Sequence, residues 1–143
     1  MLETTFGAKF QKWWNIKEDG VYVNRTCDQA AFEYKVTNGG TYNLNTWRKE
    51  QPHQEVGLRK AGSEEGIIWK ISDLDPRSKD FDAFFLSNAP SFLVVWFNKH
   101  ERFFIISVFD IPKQTSISYE YCCERWEAIP LPVPKKKYYD LGI

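Results

Sequence analysis

Apolar residues recur along the chain with two different periods, and the changes of period mark the elements. Between Glu3 and Asn15, Phe6, Phe10, Trp13 and Trp14 fall at spacings of four, three and one, with Lys9, Gln11 and Lys12 beside them. That is the stripe of an amphipathic helix. Asp19-Gly20 interrupts it as a turn would. Val21-Tyr22-Val23 is a short β-prone run, and after the polar stretch Asn24 to Asp28 comes Ala30 to Thr37, ending at Asn38-Gly39-Gly40. The two runs are expected to form a hairpin-like pair of strands. In the second, Ala31, Glu33 and Lys35 point to one face, and Phe32, Tyr34 and Val36 to the other. The aromatic face belongs to a core, so the face carrying Glu33 and Lys35 has to be reachable by water or a ligand.

Downstream, Thr41 to Glu50 reads as a polar connection with Tyr42, Leu44 and Trp47 as anchors. A helix is expected from Pro52, which suits a first helical turn, to just before Gly62. Gln54, Leu58 and Ala61 share one side of it, and Val56 does not fit the stripe. Gly66 to Ile71 and Asp82 to Leu86 are candidate strands. Phe92 to Phe97 and Phe103 to Phe109 form an expected antiparallel pair across the polar turn Asn98 to Arg102. Ser116 to Trp126 is expected to be a last helix. Pro130, Pro132 and Pro134 then exclude regular helix, and Lys135 to Lys137 make a basic tail. The expected organisation is one domain over residues 1–129 and a Pro/Lys-rich tail over 130–143.

Composition narrows the class. The 143 residues are 43% hydrophobic and 17% aromatic, which is ample for one core and unlike a disordered chain. Lys and Arg number 19 and so do Asp and Glu, giving zero formal charge. This argues against a protein that coats nucleic acid by bulk electrostatics. It argues less against a nuclease, which gathers carboxylates at a metal and keeps its basic residues elsewhere. The 3 cysteines are too few for a disulfide framework, and the start of the chain carries no signal-peptide pattern, so a reducing, cytoplasmic setting is expected. The only histidines are His53 and His100, no CxxC pair is present, and the apolar runs are too short to span a membrane. No G-x-S-x-G elbow or nucleophilic cysteine motif supports acyl transfer or thiol catalysis.

The segment with a chemistry of its own is Glu33-Tyr34-Lys35, an E-x-K on a strand. Phosphodiester hydrolysis needs a hard cation to polarise a phosphoryl oxygen and acidify a water. Magnesium takes oxygen ligands, so a carboxylate and a neighbouring backbone carbonyl, here that of Tyr34, suit it. An ammonium two residues along lies on the same face, where it can orient water or stabilise charge on the phosphate. An isolated E-x-K is common, because exposed strand faces alternate Glu and Lys for solubility. The surroundings extend the pattern.

The segment Ala31-Phe32-Glu33-Tyr34-Lys35-Val36-Thr37, followed by His53-Gln54 and Leu58, resembles the core signature of RecU-type Holliday junction resolvases of the PD-(D/E)xK nuclease superfamily, and of their small phage-borne relatives. Trp69-Lys70-Ile71-Ser72-Asp73, Asp80-Phe81-Asp82, the aromatic strand ending at Phe97 and the opening Phe6-Gly7-x-x-Phe10 extend the likeness over roughly residues 6 to 110. The resemblance implies an α/β fold of restriction-endonuclease type, a mixed central sheet flanked by helices. It also implies a magnesium-dependent endonuclease, with manganese able to substitute, that resolves four-way DNA junctions as a homodimer in the cytoplasm, the host's if phage-encoded. The alternative is a catalytically inactive DNA- or protein-binding module of the same fold.

Carried over by position, Glu33 is a metal ligand, Lys35 the catalytic lysine, and Gln54 the helix glutamine bordering the site. Two acids are candidates to complete the metal site. Asp19 precedes Glu33 by fourteen residues, similar to the RecU arrangement, though in an expected Asp-Gly turn. Asp28 opens the strand, but its odd spacing puts it on the opposite face unless a bulge intervenes. Asp73, Asp75, Asp80 and Asp82 lack calcium-loop spacing. His53 either positions phosphate or caps the helix. DNA contacts are expected from Lys9, Lys12, Arg25, Arg48, Lys49, His53, Arg59 and Lys60, and a dimer contact from Trp13 and Trp14.

Overall fold

The computed structural model describes residues 1–14, 16–17, 21–22, 30–70 and 83–131, with side chains at 1–10, 30–68 and 85–131. The first helix, α1, is Glu3–Trp14, followed by the paired two-residue strands β1 (Ile16–Lys17) and β2 (Val21–Tyr22). Next come β3 (Ala31–Thr37), β4 (Thr41–Asn43), α2 (Leu44–Glu50) and α3 (Pro52–Ala61). An antiparallel pair, β5 (Ile67–Lys70) and β6 (Ala83–Leu86), leads to β7 (Ser91–Phe97) and β8 (Arg102–Ser107). A 3-10 turn at Val108–Asp110, β9 (Ser116–Ser118), α4 (Tyr119–Arg125) and β10 (Ile129–Pro130) complete the described chain.

Among the described residues the central sheet has four strands in the order β10-β8-β7-β3. β3 and β7 run parallel, with Glu33 opposite Leu93 and Lys35 opposite Val95, while β7–β8 and β8–β10 are antiparallel. The sheet is therefore mixed and the domain α/β, as expected. A parallel pair cannot be closed by a tight turn, and the segment from β4 to β6 makes the crossover.

Every residue of β7 is buried, so both faces must be covered. On one face Phe92, Val94 and Trp96, with Phe103 and Ile105 of β8, pack against Phe6 and Phe10 of α1. On the other, Leu93, Val95 and Phe97, with Phe104 and Ile106, pack against Leu44 and Trp47 of α2, Leu58 of α3 and Cys122 of α4. The expected alternation of β3 holds: Phe32, Tyr34 and Val36 join the α1 side and Ala31 the other. Gly7 lets α1 settle close to the strand, because a Cβ there would lie 3.0 Å from the Tyr34 ring.

Several boundaries differ from the sequence reading. Val21–Tyr22 pairs with Ile16–Lys17, and the described partner of β3 is β7, so the expected hairpin between those two runs is not formed by described residues. The seven-residue, fully buried β7 offers a longer ladder than a two-residue run can. The stretch read as a polar connection is a strand and a capped helix, with the Asn43 side chain accepting from the Thr46 N–H at 2.8 Å. Ser116 to Trp126 is not one helix. Ile117 is drawn into pairing with Tyr42, and the Ser118 hydroxyl caps the shorter α4 by accepting from the Tyr121 N–H at 3.0 Å. Pro130 pairs on the outer strand of the sheet among the described residues, the kind of edge position that proline tolerates, so the sheet runs past the boundary drawn at residue 129. Residues 132–143 and the side chains of Trp13 and Trp14 lie outside the described residues.

Phe6 carries much of the α1 docking. Its ring lies 5.6 Å from Trp96, 5.7 Å from Phe103 and 6.2 Å from Tyr34, centroid to centroid. Phe6→Ala is expected to lower unfolding free energy by about 3–5 kcal/mol. Half-exposed Val56, changed to Ala, should stay within about 0.5 kcal/mol of the parent. Urea unfolding of the two variants checks this, and equal effects would mean that α1 is not anchored through Phe6.

Candidate functional site

β3 is the outer strand of the central sheet among the described residues, and its Glu33–Lys35 face lies on the side covered by α2 and α3. Two charged side chains are partly buried at this edge. Lys35 Nζ lies 3.4 Å from Glu33 Oε1, with the Lys35 side chain 11% exposed and that of Glu33 25%. Glu3, in the first turn of α1, reaches the same ammonium from the other layer of the fold, at 3.4 Å through its Oε1. The Met1 amine donates to Asn98 Oδ1 at 2.9 Å and ties the start of the chain to the β7–β8 turn.

Burial pushes the Glu33 carboxyl above its ordinary value of 4.5, and the Lys35 charge and hydrogen bond only partly offset this. Smaller contributions come from Glu3, which raises it further, and from His53, which lowers it. His53 sits exposed in the first turn of α3, so that turn and the E-x-K strand share one electrostatic neighbourhood. Tyr42 of β4 belongs to it as well. Burial pushes its phenol up, and the negative charges of Glu3, Glu33 and Glu50 push it further. Its hydroxyl therefore stays protonated and can donate a hydrogen bond throughout the physiological range. Glu3 and Tyr42 were not singled out from sequence. The one signal for Glu3 was its place as an acid in a helical first turn, and Tyr42 read only as an anchor.

Gln54 lies on the expected side of α3, where its Oε1 accepts the Trp47 indole N–H at 2.8 Å. Tyr34 places its ring against Phe6 and Phe10. The hydrogen bonds from Ala31 N–H to the Pro90 carbonyl and from Asn98 N–H to the Thr37 carbonyl set the phase of the β3–β7 ladder. In that phase the Tyr34 carbonyl faces the edge of β3 away from β7. Asp19, Asp28 and Arg25 lie outside the described residues, as does the Lys12 side chain.

The expected basic contacts divide into two groups. Arg48 is a strut: Nε and Nη2 donate to the two Glu55 oxygens at 3.0 and 3.3 Å, and Nη2 also donates to the Pro112 carbonyl at 2.8 Å. Arg59 donates to Glu55 at 3.2 Å, and Lys60 pairs with Glu65 at 3.5 Å. Burial pushes the Glu55 carboxyl up, but hydrogen bonds and charge from Arg48 and then Arg59 outweigh it and hold it below 4.5. Lys9, Lys49 and His53 are exposed.

Among the described residues no group of three or more His, Cys, Asp or Glu side chains converges on one point. What converges is a pair of carboxylates, Glu3 and Glu33, on one cationic position. An all-oxygen pair fits magnesium, which keeps several waters and commonly takes one or two carboxylates, with substrate phosphate supplying further oxygens. Among the described residues no helix is long and apolar enough to cross a membrane. Comparison with protein-family models, with curated proteins and with solved structures yields no match to this chain.

The raised Glu33 value has a direct consequence for stability. Between 4.5 and its raised value the folded chain holds a proton that the unfolded chain has released, so stability falls as pH rises through that window. Glu33→Gln removes this contribution. Denaturant midpoints measured against pH should show the wild type losing ground to the variant as pH rises above 4.5. A pH-independent difference would mean that Glu33 titrates as an ordinary carboxyl.

Proposed function

We propose that the chain is a magnesium-dependent, structure-selective endonuclease that hydrolyses phosphodiester bonds in branched DNA, with four-way junctions as its substrate. The reading is carried by one observation: Glu33 and Lys35 of the E-x-K strand meet 3.4 Å apart, half-buried, with Glu3 brought to the same ammonium. A solubility alternation of Glu and Lys would leave both side chains in water and would not recruit a third charge from another layer. The mixed sheet with helices on both faces supports the restriction-endonuclease type of architecture.

Glu33 and Glu3 would hold the ion, with the Tyr34 carbonyl and Asp19 or Asp28 as further candidates. When bound, magnesium supplies a polarised phosphoryl oxygen and a water acidified for attack. Lys35 is placed to steady the attacking water or the charge that grows on the phosphate. Tyr42, held neutral, can donate to a phosphate oxygen and cannot act as a base at physiological pH. Exposed His53, whose charge is felt at Glu33, and exposed Lys49 of α2 are the candidates for backbone phosphate contacts, whereas Arg48 is committed to Glu55. A homodimer would supply the two symmetric cuts that a four-way junction requires.

A second reading has one observation in its favour. The Lys35 ammonium already sits between Glu33 and Glu3, so the two carboxylates have a counter-ion within the chain, as in a nuclease-fold module that binds without cutting. Incubating labelled four-way junction and matched linear duplex with magnesium or chelator separates the two. Paired, magnesium-dependent nicks on the junction are expected, reduced about 100-fold or more in Glu33→Ala and Lys35→Ala. Junction binding without nicks would select the binding module. Nicks that survive both substitutions would remove Glu33 and Lys35 from the chemistry.

A further inference from the structure

Lys35 is more buried than either carboxylate it touches: 11% exposed, against 25% for Glu33 and 49% for Glu3. Its ammonium lies 3.4 Å from one oxygen of each. A charge-assisted N–H···O bond shortens to about 2.7–2.9 Å when it is well formed. The ammonium is thus shared between two acids and locked to neither. The surroundings are negative, since Glu3, Glu33 and Glu50 all bear on the neighbouring Tyr42 hydroxyl. Without an internal cation, Glu3 and Glu33 would repel each other across a partly dry gap, where screening is weak.

We propose that Lys35 is the resident counter-ion of the Glu3–Glu33 pair, and that a divalent cation entering the site displaces its ammonium. This rests on the reading of Glu3 and Glu33 as the cation-binding carboxylates. A dication and an ammonium compete for the same oxygens, and their like charges exclude close co-occupancy. Loading therefore turns the ammonium out of the pair toward the side from which a phosphate arrives. The same lysine fills the cation position before loading and supplies positive charge to the substrate after it. Cation and ammonium are coupled competitively, so removing the ammonium must tighten cation binding.

Manganese binding to the full chelator-stripped chain, without DNA, tests this through the loss of the free-ion spin-resonance signal. Lys35→Gln is expected to bind manganese about fivefold or more tightly than the wild type, the lower end of ordinary site-to-site coupling. Glu33→Gln is expected to lose binding. Equal or weaker binding by a folded Lys35→Gln chain, with binding still lost in Glu33→Gln, overturns the displacement and leaves the cation site standing. Binding that ignores Glu33 overturns both. A wild-type measurement covers the case in which Lys35→Gln does not fold. Acylation of Lys35, followed by peptide mass, should rise several-fold on adding magnesium relative to exposed Lys49 and Lys113. Unchanged or slower labelling of Lys35 overturns the proposal.

Discussion

The fold depends on the requirement that β7 be covered on all sides. Ser91–Phe97 is buried at every residue, which demands helices on both faces and a strand along each edge. α1 answers on one face with Phe6 and Phe10, and α2 and α3 answer on the other with Leu44, Trp47 and Leu58. β8 takes one edge and β3 the other. Because β3 pairs in parallel, the chain between them must cross over, and that crossover brings Tyr42 and His53 into the electrostatic neighbourhood of Glu33. The site is a product of the packing. A strand at the outside of the sheet is where charged side chains can be half-sheltered with the apolar layer still closed.

Electrostatics then sets the character of that edge. One lysine between two carboxylates leaves the immediate cluster net negative, and Glu50 adds to the field felt by Tyr42. Burial raises Glu33 even with Lys35 beside it, so the desolvation of the acid outweighs its partner. An isolated surface ion pair would show the reverse, and Glu55 does: two arginines overcome its burial. Of these two half-sheltered acids, Glu55 is therefore a strut, satisfied within the chain. Glu33 has only the Lys35 ammonium beside it, and that ammonium is shared with Glu3.

Much of this was legible where the information is local. Period-two alternation in Ala31 to Thr37 assigned the faces of β3 correctly because seven residues of strand leave little freedom in side-chain direction. Pro52 and Gly62 bracketed α3 for the same kind of reason. Partner choice was not local. Nothing in Val21–Tyr22 or Ala31–Thr37 says that one pairs with Ile16–Lys17 and the other with a strand some sixty residues on. Ile117 became strand because Tyr42 was there to pair with it, against a helical pattern in its own segment. Glu3 and Lys35 meet across 32 positions of sequence only because α1 docks through Phe6 and Phe10. Arg48 shows the other limit: a guanidinium reads the same whether it will meet a phosphate or, as here, Glu55 and the Pro112 carbonyl.

On the proposed function, the Glu3–Lys35–Glu33 cluster is the cation site of a phosphodiester-cleaving centre. The most direct measurement is anomalous diffraction from crystals soaked in manganese. An anomalous peak within about 2.0–2.3 Å of a Glu33 carboxylate oxygen is the predicted result, at hard-cation coordination distance. A single strong peak elsewhere, or a fully soaked crystal in which Lys35 still bridges Glu3 and Glu33, would contradict it.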